Sequence, residues 1–293
     1  MFVIADLKML AELCYKITKM KYLIIIVLSL TMSISTKAQE KWVLKSEKLA
    51  KPDTVLIFKP KTYDTTEKYP LVYLLHGYSE NYKQWSQTAD LQKLSDQYGF
   101  IIVTPDGFTS YYINSPINRS SQYEDFFFKE LVPKVHQSFN IDKKNIFISG
   151  LSMGGYGALR YFILYSDYFN TAGSTSGALE IDYPNFQKVS QQFWQTDRMT
   201  NDLTKNLGNP KTNNWNTYSI STLLKQNPNF KKVFIFDCGT QDVLYPNSES
   251  LKSLTEKLKI PTTFISQPGD HNTDYWNTSI EYHFVYFQQH LTK

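Results

Sequence analysis

The residues best suited to chemistry in this chain lie in Gly150-Leu-Ser152-Met-Gly154. An apolar run over residues 145–149 reads as a buried strand, and residues 158–165 read as a helix. Gly-x-Ser-x-Gly between a strand and a helix matches the nucleophile elbow, a strained turn that exposes a serine hydroxyl. Neighbouring Cβ atoms would crowd such a turn, which is the steric reason for its glycines. The helix that follows Ser152 directs its free N–H groups and partial positive charge at any oxyanion formed there.

A serine hydroxyl is a weak nucleophile and needs a base, itself oriented by a third group. On this scaffold the partners follow in the order Ser, Asp/Glu, His. Two loops downstream of Ser152 offer them, each after an apolar run: Asp237-Cys-Gly-Thr-Gln-Asp242 and Pro268-Gly-Asp-His271. His271 is the expected base. Asp242, out on the Gly-containing turn, is preferred as the acid. Asp237 closes its strand and could instead cap backbone groups, and it stays as the alternative. Asp270 is a sequence neighbour of His271 and points away from it, and Asp106 in Pro-Asp-Gly reads as a turn residue. His136 falls on the solvated side of an amphipathic helix. His283 and His290, seven apart near the C-terminus, read as surface or packing residues. His76 ends a buried strand as Leu75-His76-Gly77-Tyr78, where α/β-hydrolases build half of an oxyanion hole. Tyr78 N–H and Met153 N–H are the expected donors, with His76 and Gly77 shaping the loop and expected, like Trp194 and Trp276, to contact the substrate.

The elements that must position these groups alternate. Short strands are expected over 42–49 and 54–58, then buried strands over 71–75 and 100–103, with a helix over 90–98 that ends at Gly99. Residues 122–139 are amphipathic, with a kink expected at Pro133. After the elbow come strands over 169–174, 233–236 and 262–266, and helices over 248–258 and 274–291. This alternation predicts a three-layer α/β domain with a mostly parallel sheet. Residues 179–226 break the rhythm. They are polar and Asn-rich, carry Trp194 and Trp215, and are expected as an insertion over the C-terminal edge of the sheet, where such folds bind ligands.

Residues 1–38 are set apart. Met20-Lys21, an apolar run over 22–30 and Thr36-Lys37-Ala38 have the form of a secretory signal peptide cut after Ala38, with Met20 the expected start. The h-region is too short to span a bilayer. Of 31 basic and 27 acidic residues, five and two lie in this segment, which leaves residues 39–293 at +1. That balance gives no electrostatic case for nucleic acid or an anionic membrane surface. Cys238 is the one cysteine outside this segment and reads as a buried small hydrophobe, so stability rests on the core. Residues 39–293 suffice for one sizeable domain.

Taken in order, Leu74-Leu-His-Gly-Tyr78, Thr104-Pro-Asp-Gly107, Tyr123-Glu-Asp-Phe126 with Glu130-Leu-Val-Pro133, Gly150-Leu-Ser-Met-Gly-Gly-Tyr-Gly-Ala158, Cys238-Gly-Thr-Gln-Asp242 and Pro268-Gly-Asp-His271 with Tyr275-Trp276 carry a resemblance. The chain resembles the esterase D-like "putative esterase" family of α/β-hydrolases over most of residues 50–290. That family includes feruloyl and acetyl-xylan esterases, S-formylglutathione hydrolases, siderophore esterases and mycolyltransferases. The resemblance implies a Ser152–Asp242–His271 triad, an oxyanion hole from Tyr78 and Met153, and ester hydrolysis without metal or cofactor. Residues 179–226 follow no family pattern and are where substrate choice would be set.

The expected function is that of a secreted or periplasmic serine carboxylesterase acting on acetyl or feruloyl esters of plant polysaccharide fragments. Trp194 and Trp276, with Tyr111, Tyr112, Trp215 and Tyr275, are the aromatic candidates for stacking on sugar or phenolic rings. The expected partner is a small-molecule or oligosaccharide ester. Two alternatives stand beside this reading: another small ester, such as a siderophore ester or a glutathione-type thioester, and a non-catalytic carbohydrate-binding or envelope protein on the same fold. The leader argues against a cytosolic thioester, and the complete Ser, Asp and His set argues against lost activity.

Overall fold

A continuous apolar strand can be buried on both faces only if layers cover both, and β3 shows this arrangement. In the computed structural model, which describes residues 39–293, Leu71, Tyr73 and Leu75 point into one core while Val72 and Leu74 point into the other. The predicted leader and its cleavage point lie outside the described residues.

Eight strands form one sheet in the order β1-β2-β4-β3-β5-β6-β7-β8. They are β1 (Gln39–Leu44), β2 (Asp53–Phe58), β3 (Tyr69–Leu75), β4 (Ile101–Pro105), β5 (Ile141–Gly150), β6 (Thr171–Thr175), β7 (Phe234–Gly239) and β8 (Thr262–Gln267). β2 runs antiparallel to both its neighbours, and the pairs from β4 through β8 are parallel. This is the α/β-hydrolase arrangement expected from the sequence. The first strand is shorter than expected, ending at Leu44 rather than at residue 49.

The helices are α1 (Gln84–Thr88), α2 (Leu91–Tyr98), α3 (Tyr123–Phe126), α4 (Val132–Ser138), α5 (Met153–Leu164), α6 (Tyr183–Trp194), α7 (Arg198–Leu207), α8 (Ile220–Gln226), α9 (Tyr245–Leu258) and α10 (Thr273–Gln289). Asp90 caps α2 by accepting from Lys93 N–H, and Gly99 ends it with φ +71°. A π turn, Phe127–Leu131, joins α3 to α4 just before Pro133. Pro133 has no N–H to give the preceding turn, and the widened turn relieves that loss.

Leu91, Leu94, Ile280, Phe284 and Phe287 place α2 and α10 on one face of the sheet. Phe126, Phe127, Leu131 and Leu159 place α3, the π turn and α5 on the other. The stretch expected as an irregular insertion is largely helical, holding α6, α7, a 3-10 turn and α8. Its core-facing Phe186, Val189, Leu203 and Leu207 join the second face. Tyr111, Tyr112, Trp215 and Tyr275, expected near the cleft, are instead buried in the core. Among the described residues no helix is long and apolar enough to cross a membrane.

Candidate active site

β5 ends at Gly150, and the chain turns into α5 through Ser152, which holds φ +53° and ψ −116°. That conformation is strained for a residue with a side chain. The turn closes because Gly150 packs on the main chain of Gly154, and Gly154 on the main chain of Leu75; a Cβ at either would overlap backbone. Ser152 N–H donates to Thr175 O at 3.0 Å, which pins the turn to β6.

The other two groups come from the loops after β7 and β8, and those loops are tied together. Thr240 N–H donates to Gln267 O, Gln241 N–H to Gly269 O, and Gly269 N–H to the Gln241 side chain. His271 then lies with Nε2 3.0 Å from Ser152 Oγ and Nδ1 2.8 Å from Asp242 Oδ2. Leu244 N–H donates to Asp242 Oδ1 at 2.8 Å. Asp242 is 3% exposed, and burial pushes its carboxyl up. The hydrogen bond and charge of His271, with Leu244 N–H, outweigh burial and hold the carboxyl below its ordinary value. Asp270 serves its own loop, accepting from His271 N–H. The His271 ring is flanked by Phe193 and Trp276, each with its ring centroid 5.0 Å away.

Gly77 and Tyr78 follow β3 and abut the elbow: a Cβ at Gly77 would lie 3.5 Å from Ser152 Cβ. Gln84 Oε1 accepts from Gly77 N–H at 2.7 Å and fixes the loop. The N–H groups of Tyr78 and Met153 have no hydrogen-bond acceptor among the described residues. They remain available to a developing oxyanion. The Tyr78 side chain reaches α6 and α7, donating from its hydroxyl to Asp202 at 2.7 Å and packing against Trp194. Arg198 lies over both rings. A cleft of about 350 Å³ opens over Ser152 and His271, walled by Tyr78, Phe186, Phe193, Trp194 and Trp276.

The sequence profile of the family described as "Putative esterase" matches residues 46–287. The chain belongs to that family. This esterase is 30% identical over 254 residues to an acetyl esterase from Caldicellulosiruptor saccharolyticus, covering 80% of the chain and 92% of the relative. It is 24% identical over 271 residues to an S-formylglutathione hydrolase from Arabidopsis thaliana, covering 84% and 91%. A solved ferulic acid esterase superposes with a TM-score of 0.72 at 22% identity, covering 87% of this chain and 98% of that one. The protein is therefore a carboxylic ester hydrolase on an α/β-hydrolase fold.

The structure brings Ser152, Asp242, His271, Gly77, Tyr78, Met153, Trp194 and Trp276 to one place. It does not bring His76 there. The His76 ring is 1% exposed and turned into the fold, donating from Nδ1 to Gly77 O and accepting Gly107 N–H at Nε2. Its neighbour Asp106 caps a turn, accepting from Phe108 N–H. The expectation that His76 contacts substrate is thus corrected: both ring nitrogens are used to shape the loop from below. Asp237 is not one of the hydrogen-bond partners of the His271 ring and bonds to His283 instead. His283, expected at the surface or in packing, is fully buried. Sequence reasoning missed Phe186 and Phe193; the spacing of Phe186, Val189 and Ser190 after Asp182-Tyr-Pro could have revealed α6.

Proposed function

We propose that this esterase is a secreted serine carboxylesterase in which Ser152, His271 and Asp242 act as nucleophile, base and orienting acid. The observation that carries the reading is the unbroken hydrogen-bonded chain Ser152 Oγ–His271–Asp242 opening on an aromatic cleft. Ser152 Oγ attacks the ester carbonyl carbon while its proton passes to His271 Nε2. The carbonyl oxygen becomes an oxyanion and takes the N–H groups of Tyr78 and Met153 as donors. Removing one such donor costs about 3 kcal/mol of transition-state stabilisation in comparable sites. The imidazolium, held at Nδ1 by Asp242, gives its proton to the leaving alkoxide. Water, deprotonated by His271, then releases the acid and restores Ser152.

The substrate class proposed is acetyl or feruloyl esters of plant polysaccharide fragments. Phe193, Trp194 and Trp276 offer flat apolar walls for a sugar or phenolic ring beside the scissile bond. The similarity to an acetyl esterase supports an acetyl ester within this class. Secretion rests on the leader-like residues 1–38, and 39–293 are proposed as the single mature domain, with 179–226 as its cap.

The test is turnover of p-nitrophenyl acetate, methyl ferulate and an acetylated xylo-oligosaccharide, with Ser152→Ala as the blank. A clear preference for the sugar or ferulate ester is expected. Turnover of the activated acetate alone would remove the polysaccharide assignment and keep the mechanism.

A further inference from the structure

Behind the elbow lies a second hydrogen-bonded chain of the same residue types. Ser149 Oγ is 2.7 Å from His283 Nδ1, and His283 Nε2 is 2.7 Å from Asp237 Oδ2. Asp237 Oδ1 accepts from Thr175 Oγ1 and from Ser279 Oγ, each at 2.7 Å. All five side chains are at most 1% exposed, so no substrate reaches them. The Asp237 carboxylate accepts one N–H and two O–H groups, which is how a buried charge is made tolerable.

What this network joins is specific. Ser149 stands three residues before Ser152 on β5. Thr175 offers its main-chain oxygen to Ser152 N–H and its hydroxyl to Asp237. Asp237 lies on β7, whose following loop carries Asp242. Ser279 and His283 lie on α10, which begins at Thr273, directly after His271 and its capping neighbour Asn272. The segments that deliver Ser152, Asp242 and His271 therefore converge on one carboxylate.

Apolar packing of α10 through Ile280, Phe284 and Phe287 is non-directional and fixes the helix position less sharply than hydrogen bonds do. The hydrogen bonds to Asp237 and Ser149 set its position along the sheet. Gly173 belongs to the same device. It lies in the middle of β6, where a glycine weakens a strand, and a Cβ there would overlap the His283 ring.

We infer that Asp237, His283 and Ser149 are positioning residues for ester hydrolysis: they hold α10, and with it His271, in register with Ser152 and Asp242. The inference rests on the proposed roles of Ser152, His271 and Asp242. Its effect falls chiefly on the chemical step, because proton transfer is far more sensitive to a misplaced base than an apolar cleft is to a small shift of Trp276, which α10 also carries.

The test measures kcat and KM on p-nitrophenyl acetate, and thermal unfolding, for Ser149→Ala, Gly173→Ala, His283→Gln and His283→Leu. Gly173→Ala removes no hydrogen-bonding group and only displaces the ring. Phe230→Ala is the control for general destabilisation, since Phe230 packs on Phe162 at the opposite end of β7. Ser149→Ala and Gly173→Ala should lower kcat by about ten- to a hundredfold with a much smaller change in KM, the loss expected for a catalytic group misplaced by about 1 Å. His283→Gln, which keeps a donor for Asp237, should retain more kcat than His283→Leu. Phe230→Ala should lower the unfolding temperature without lowering kcat.

If Ser149→Ala and Gly173→Ala keep kcat within about twofold of wild type, whether or not they lose unfolding temperature, the network does not position the base and the inference falls. Should Ser152→Ala retain wild-type turnover, the underlying reading fails instead, and the two failures are told apart by that variant.

Discussion

Ser152 and Ser149 lie three residues apart, and each is hydrogen-bonded to a histidine that is hydrogen-bonded to an aspartate. Around Ser152 the backbone is strained, a helix N-terminus points at the hydroxyl, and a cleft opens above it. Ser149 sits in regular strand opposite Leu74, fully buried, with a histidine ring pressed against the neighbouring strand. The ring is also reversed: His271 turns Nε2 to its serine, whereas His283 turns Nδ1. The comparison teaches that serine, histidine and aspartate in hydrogen-bonded order do not define a reactive site. Access for a carbonyl and free N–H donors for its oxygen do, and only the Ser152 chain has both.

The comparison breaks most plainly at the serines. Ser152→Ala should lower kcat on p-nitrophenyl acetate by about 10⁶-fold, as loss of a triad nucleophile does elsewhere, while circular dichroism stays native. Near wild-type turnover by that variant would remove the covalent step. The acids should separate next. Asp242→Asn is expected to cost about 10⁴-fold in kcat through the wrong imidazole tautomer, far more than Asp237→Asn. Stability should run the other way for Asp237→Asn, which leaves several buried donors poorly matched and costs about 1–3 kcal/mol. Equal activity losses would mean that the two acids share one role.

A smaller effect sharpens the contrast through pH. The Asp242 carboxyl is held below its ordinary value of 3.8. Depressed in the folded state, it contributes stability that is complete above 3.8 and lost as pH falls through the lower folded value. The unfolding free-energy difference between wild type and Asp242→Asn should hold down to that region and shrink below it. A difference that disappears well above 3.8 would show that His271 does not stabilise the charged carboxylate.

Much of this was legible in the sequence, for reasons of locality. The elbow is a local pattern of glycines around one serine, and the buried strands are continuous apolar runs, so both stand out without any tertiary knowledge. Asp242 could be preferred over Asp237 from its place on a turn. His283 could be read only as a surface or packing residue, because Tyr282 and Phe284 beside it do not tell a buried, hydrogen-bonded histidine from an ordinary packed one. Its partners Ser149 and Asp237 are 134 and 46 residues away, and no local spacing announces them. Tyr111 and Tyr112 were misplaced for a related reason. They hold φ of +54° and +57° in an irregular loop, where no periodicity signals burial. Helix α6 was hidden by its polar composition, although Asp182 caps it by accepting Asn185 N–H and Pro184 stands at its start.

The most direct measurement of the central claim is peptide mapping after reaction with a fluorophosphonate, which forms a stable adduct only with an activated, accessible serine. A single adduct on Ser152 is expected in the wild type, the same adduct in Ser149→Ala, and none in Ser152→Ala. An adduct on Ser149, or labelling that survives Ser152→Ala, would contradict it.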